Sequence, residues 1–247
     1  MKLLFRINSD YLLLHAINQS RFIFPFEEWN DLVLDIWRKS KESFYFLGGY
    51  PETVLYLNQL SDFKKLSEKT TRILNQIKKT KEFKRLLKET KKYKQFVEKQ
   101  WKKNERKVFH ILEGLLGVKI PRNVIYVYLT HPKLKNGKAI DKNIIVWGHC
   151  EEFLNYSTIY LCHEIMHLLT NLDRSRITHA VIELMINNEL RIQLNKKGRY
   201  FQFPGHKDLV KLERKILPHW KKYLKTPKKD FFEFLKNLKK TLKRDEN

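Results

Sequence analysis

Apolar residues recur at helical spacing over most of this chain and at strand spacing over one short part of it. Between residues 64 and 107, Leu66, Ile73, Leu74, Ile77, Phe83, Leu86, Leu87, Tyr93, Phe96, Val97 and Trp101 fall mostly three, four or seven apart. That spacing predicts one long helix or two over 62–101, broken near Thr80, with one buried stripe. Glu105–Leu116 reads as a further helix ended by Gly117. Upstream, Leu3–Ile7 predicts a short strand, and Ser9 or Asp10 caps a helix to about Ile17. Phe26–Ser40 reads as an amphipathic helix, Gly48-Gly49-Tyr50-Pro51 as a break, and 52–60 as a short helix. The period then changes. Asn123–Leu129 is β-branched and aromatic and predicts a strand. Asn136-Gly137 carries the signal of a tight hairpin turn, and Ala139–Trp147 follows as the second strand, closed by Gly148. Helical spacing returns at about Ser157–Thr170, and again from Ser175 or Thr178 to about Asn195. Residues 207–247 read as two or three basic amphipathic helices.

The fold class expected is therefore α+β, mostly helical, with a small sheet or hairpin flanked by N- and C-terminal helices. Composition agrees. Only 8 Gly and 7 Pro in 247 residues argue against a turn-rich sandwich or propeller. A 42% hydrophobic share is enough for a core and excludes disorder as the main state. Three regions are expected: a helical N-terminal region 1–107, a core 108–206, and basic helices 207–247. Gly117–Pro121 is too short and apolar to act as a flexible tether. The first region is therefore expected to pack on the core, with Trp29, Trp37, Phe63 and Trp101 among its covering residues. Two cysteines, Cys150 and Cys162, cannot build a disulfide scaffold. No apolar run reaches the roughly 18–20 residues of a membrane span. Arg6, Asn8, Ser9 and Asp10 interrupt the start of any signal peptide. The expectation is a cytoplasmic protein with reduced thiols.

The net charge is +23, unevenly spread. Residues 64–107 carry 18 basic and 5 acidic groups, and 207–247 carry 14 and 6. Such stretches can bind nucleic acid. They are also what the solvated faces of amphipathic helices look like. Lysine predominates, and lysine reads bases less well than arginine.

Residues 163–167 read His-Glu-Ile-Met-His, an HExxH motif. Two histidines four apart on a helix share a face and can bind one zinc ion. Glu164 between them can take a proton from water held by the zinc. Tyr160, Leu161, Ile165, Leu168 and Leu169 make this helix apolar around the motif, as for a helix through a core. A third protein ligand is needed. Positions 170, 171 and 173 are Thr, Asn and Asp, which excludes the spacings that place a third histidine there. The next helix offers Glu183, 16 residues after His167, as a candidate ligand. His179 and Glu189 are rivals. His179 shares the face of Glu183, whereas Glu189 lies about 240° away and is expected to pair with Arg191 or Lys196. Asn187, one turn beyond Glu183, could accept a hydrogen bond from a zinc-binding histidine.

Across roughly 120–195 the chain resembles the zincin metallopeptidases, and among them the gluzincins of the compact minigluzincin-like group. The resemblance rests on a strand pair, the HExxH helix and a following glutamate helix. It implies a zincin-like core and a zinc-dependent hydrolysis of peptide bonds. His163, His167 and Glu183 would hold Zn2+, Glu164 would be catalytic, and the substrate would be a peptide or protein. Asn187 stands where such proteins usually carry an acid, there is no Asn-Glu pair at the third-ligand site, and the exopeptidase signature is absent. By the same resemblance, Ile144–Trp147 would form the cleft's upper rim and hold an extended peptide by its unpaired edge. Independently of it, the packed N-terminal region is expected to cover the cleft in part, because a core of about 80 residues is small for independent stability. The alternative is a nucleic-acid-binding protein with a structural or vestigial zinc site. His131 and His149 flank the strands. Tyr200, His206 and His219 lie downstream, where an oxyanion-stabilising group is expected, and spacing does not choose among them.

Overall fold

Ile144–Gly148 contains no charged side chain and is buried at every position. A strand buried on both faces needs a partner on each side and a cover above and below. The computed structural model, which describes residues 1–19, 38–43, 52, 55 and 64–244, supplies all four. The sheet has the order β1 (Lys2–Arg6), β2 (Val124–Leu129), β4 (Ile144–Gly148), β3 (Asn136–Asp141). β1 runs parallel to β2 with Leu3 opposite Ile125, and β2 runs parallel to β4 with Val127 opposite Ile145. β3 is antiparallel to β4, with Lys138 opposite Val146.

Two expectations are corrected here. Asn136-Gly137 is not the hairpin turn; it begins β3, and the tight turn is Lys142-Asn143. The Asn136 side chain is buried and donates to the Tyr11 hydroxyl at 3.1 Å, which holds the residue extended. Lys135 takes the left-handed conformation instead, with φ 50°. Nor is Ile144–Trp147 an edge. Both its sides are paired, and among the described residues the outermost strand beside the HExxH helix is β3. Gly148 has a specific reason to be glycine: a Cβ there would lie 2.1 Å from Thr130 Oγ1.

The sheet lies between two helical layers. On one face, Ile125, Val127, Leu129, Ile145 and Trp147 pack in the larger core with helix α4 (Tyr156–Leu169). On the other, Val146 packs with α1 (Ser9–Gln19) and α2 (Lys64–Ile77) through Leu12, Leu13, Ile73 and Leu74. Asn8 accepts from Asp10 N and Tyr11 N at 3.0 Å each, so it, rather than Ser9 or Asp10, caps α1.

Helix α3 (Lys81–Leu116) serves both layers. Phe83 and Leu86 join the smaller core, while Val97, Trp101, Val108 and Leu112 join the larger. The break near Thr80 is real, since its side chain caps α3 through Phe83 N. No second break occurs near 101–105. Asn104, in the polar gap that suggested one, is buried and donates to Gln100 O and Asn155 Oδ1 at 2.9 Å each. Gly117 ends the helix at φ 76°. The lysines of α3 at 81, 84, 88, 91, 92, 99, 102, 103 and 107 are exposed, opposite this buried stripe.

A single helical stretch follows α4: α5 (Arg176–Glu183), a π-helical segment Leu184–Leu190, and α6 (Arg191–Asn195). After a loop, a 3-10 turn at Lys207–Leu209 leads into α7 (Val210–Leu224), and α8 (Phe231–Arg244) closes the larger core. The expected helices over Phe26–Ser40 and 52–60, with Trp29, Trp37, Phe63 and the Gly48–Pro51 break, lie almost wholly outside the described residues. Among the described residues no helix is long and apolar enough to cross a membrane.

A chain beginning at residue 108 would lack β1, α1, α2 and the Val97–Trp101 part of the core. We predict that such a fragment gives no cooperative thermal transition by circular dichroism and is digested by trypsin under conditions that spare the full chain. A stable fragment would show that 108–244 folds alone.

Candidate metal centre

The residues of α4 are apolar except where they meet a polar partner, and those partners fix the helix. Thr158 N and Oγ1 both donate to Gln100 Oε1 of α3 at 2.9 Å. Trp147 Nε1 donates to Ser157 Oγ at 3.1 Å, and Ser157 in turn bonds Glu151. Two turns further on, His163, Glu164 and His167 are buried at 2%, 7% and 2% exposure. Three ionisable side chains in an apolar interior require compensation from other groups.

Part of it comes from the next helix. Ser175 caps α5 by accepting from Thr178 N, and the turns that follow aim His179 and Glu183 at α4. His163 Nε2 stands 3.1 Å from His167 Nε2 and 3.1 Å from His179 Nε2. Glu183 Oε1 lies 3.8 Å from His163 Nδ1 and 3.9 Å from His179 Nε2. The loop before α7 adds His206, whose Nε2 is 3.9 Å from the same oxygen. His163, His179, Glu183 and His206 thus each bring a donor atom within 4.8 Å of the others. His206 is the downstream residue, of the three left open, that the structure brings to the cluster. Tyr200 donates to Glu189, and His219 is exposed on α7.

The cluster has the marks of a metal site. Its donors are imidazole nitrogens and a carboxylate. With zinc–nitrogen bonds of about 2.0–2.1 Å, neighbouring ligands of a tetrahedral ion are about 3.3 Å apart, close to the His163–His167 and His163–His179 separations. Three buried polar atoms here have no hydrogen-bond partner: His163 Nδ1, His167 Nδ1 and Glu183 Oε1. Burial and the neighbouring imidazoles hold His163 well below the ordinary histidine range, His167 at about 3 and His179 at about 4; burial lowers His206 as well. The rings are therefore neutral at pH 7, as ligands must be. Burial, reinforced by Glu213, pushes Glu183 up to about 8. A carboxylate so disfavoured is one a cation would stabilise.

Glu164 is placed differently from the histidines. Its Oε2 accepts from Ala139 N, on the outer edge of β3, at 2.6 Å. Ala139 O accepts from Arg174 at 2.6 Å. Burial pushes Glu164 up to about 7 against the lowering effect of that Ala139 hydrogen bond. A Cβ on Gly137 would lie 4.0 Å from Glu164 Oε1, so the second oxygen borders the same strand.

Asn187 donates to Glu183 and, at 3.3 Å, to the Tyr160 hydroxyl, while its Oδ1 has no partner. The expected pairing of Glu189 with Arg191 or Lys196 is replaced by Gln193 and Tyr200. Arg191 turns inward to the carbonyls of Asn187 and Arg199. His131 bonds Glu89 of α3, and His149 stacks on Trp147 and lies tilted against Tyr156. Cys150 is exposed and Cys162 buried in the core. Sequence reasoning missed Gly205. A Cβ there would lie 2.6 Å from Glu183 Oε1, so only glycine lets the loop's backbone approach this carboxylate.

Glu213 of α7 is buried at 1% exposure with Oε1 unpaired, and burial raises it to about 7. An acid whose folded pKa lies above its unfolded value favours folding at low pH and loses that contribution as pH rises. The window here is about 4.5 to 7. Chemical denaturation of Glu213→Gln should show a variant more stable than wild type at pH 8, by about 1–3 kcal/mol, and no more stable at pH 4.5. Parallel stabilities at both pH values would sink this assignment.

No family model matches the chain, and no curated protein or solved structure matches it.

Proposed function

We propose that this chain is a zinc-dependent metallopeptidase with a zincin-like, gluzincin-type core, working in the cytoplasm on peptide or protein substrates. The observation that carries the proposal is the convergence inside an apolar core of both HExxH histidines, Nε2 to Nε2 at 3.1 Å, with His179 and Glu183 gathered around His163. His163 and His167 would hold the ion through Nε2. Glu183 would be the third ligand. A carboxylate ligand would offset the charge of a buried dication, and Glu183, with 0% exposure, is the carboxylate beside the rings, its Oε1 3.8 Å from His163 Nδ1 and 3.9 Å from His179 Nε2. His179, more exposed and 3.1 Å from His163 Nε2, borders the same position.

Zinc bound there would polarise a peptide carbonyl and acidify a water molecule. The chain's own part is proton transfer and positioning. Glu164, raised toward neutrality by burial, takes the proton of the attacking water and gives it to the leaving amine nitrogen. Its hydrogen bond to Ala139 N fixes the carboxylate against β3. Once released from Glu164 and Arg174, the outward backbone groups of Ala139 on this strand would be open to an extended peptide.

A second reading, nucleic-acid binding through the basic helices, draws on the exposed lysines of α3. It would show as affinity for mixed-sequence DNA or RNA that falls steeply between about 50 and 200 mM salt.

Metal analysis and peptide hydrolysis test the first reading together. Glu164→Gln should retain stoichiometric zinc and lose turnover by about 10²-fold or more. His163→Ala and Glu183→Ala should lose the metal, whereas His179→Ala should keep it with a smaller loss of affinity. A wild-type protein that takes up no zinc would refute the proposal, and zinc retention by Glu183→Ala with loss in His179→Ala would reassign the third ligand.

A further inference from the structure

A catalytic zinc keeps one position free of protein, whereas a structural zinc is closed by four protein ligands. The cluster holds more donors than an open site needs. His206 is the one that comes from neither helix of the motif. Its ring lies 4.3 Å from that of His179 and 6.2 Å from that of His163, centroid to centroid. Its Nε2 is as near to Glu183 Oε1 as that of His179.

The loop is built to bring it there. The backbone at Gly205 runs against the Glu183 carboxylate, and the absence of a side chain at 205 permits that approach. Arg176, at the start of α5, donates to Asp208 Oδ2 at 3.3 Å and Asp208 O at 3.1 Å. At the loop's other end, Arg191 donates to Arg199 O at 2.6 Å, and Phe201 N to Asn188 Oδ1 at 2.7 Å. All these anchors stand on the helical stretch that carries Glu183. Yet the His206 side chain is 47% exposed, and the Arg176–Asp208 pair is 65% exposed on both sides. Such an exposed pair adds little stability. The histidine is held in place and can also leave.

We propose that His206 is a fourth protein ligand of the zinc and that the loop 198–209 closes the resting site. Access by substrate then requires the loop to withdraw His206. The state of the β3 edge agrees with a closed site. Both backbone groups that Ala139 turns outward are taken, N–H by Glu164 and C=O by Arg174. An incoming strand could not pair at that residue without displacing them.

This inference rests on the zinc reading above, and the experiment separates the two. The full-length protein is loaded with cobalt or zinc as wild type, His206→Cys and His206→Ala. Wild-type protein that binds neither metal refutes the zinc reading itself. With metal bound, His206→Cys should show a thiolate-to-cobalt charge-transfer band in the near ultraviolet that wild type, with Cys150 and Cys162 only, lacks. His206→Ala should bind zinc about ten-fold or more weakly in chelator competition, with the thermal stability of its metal-free form unchanged. Absence of the thiolate band, or a zinc affinity equal to wild type, overturns the assignment of His206.

Discussion

Four imidazoles and the Glu183 carboxylate gathered at the edge of an apolar core are the constraint around which this molecule is organised. Each group removed from water must recover its solvation from a partner. For most buried polar side chains of this protein a partner is visible. Thr158 has Gln100, Asn104 has Asn155, and Trp147 has Ser157. In the cluster the partners are chiefly other members, and Nδ1 of both motif histidines and Oε1 of Glu183 still lack one. Folding without an ion keeps the rings neutral and raises the carboxyl groups. A dication would favour the same neutral rings and reverse the perturbation of the carboxyl group, turning a cost of burial into binding energy coupled to folding.

The surrounding architecture keeps that cluster rigid. α4 is anchored at its first turn to α3 and β4, so the motif sits on a helix that cannot slide. α3 does this because it is one helix of 36 residues rather than two, and its middle section holds the larger core while its first turns hold the smaller. The sheet transmits the constraint. β4 is paired on both sides, which leaves β3 outermost and sets Ala139 against Glu164. Neighbouring residues of β4 are thereby tied to opposite layers, Ile145 to the motif side and Val146 to α1 and α2.

What was legible in the sequence was what repeats locally. HExxH places two histidines on one helical face whatever else the chain does, and the periods around it placed both helices of the site to within a residue or two. The break near Thr80 was legible from spacing, and the Thr80 side chain caps the helix that starts there. What stayed hidden depended on distant partners. Asn136-Gly137 has the composition of a turn, but Tyr11, 125 residues away, holds Asn136 extended. Asn104 lies in a polar run that suggests a break, and its bond to Asn155 shows why it is buried there. The parallel pairings of β1 with β2 and β2 with β4 leave no local mark, because each joins segments separated by a crossover. His206 was visible only as one of three downstream candidates. The signal that could have chosen it was the glycine immediately before it, a residue type that permits close approach of the backbone to the site.

Ala139 connects the chemistry to the closed state of the site. In an antiparallel edge strand, alternate residues turn both backbone groups away from the partner, and these are the groups a bound extended chain would use. At Ala139 the N–H is taken by the carboxylate that would act as the base, and the C=O by Arg174. Binding a peptide at this register and freeing Glu164 from Ala139 are therefore one event. A strand that takes over the Ala139 N–H would release Glu164 Oε2 and leave both carboxylate oxygens free of the strand's backbone. The buried position of Glu164 strengthens the effect, since a carboxylate raised by burial gains most from a proton delivered at the right moment.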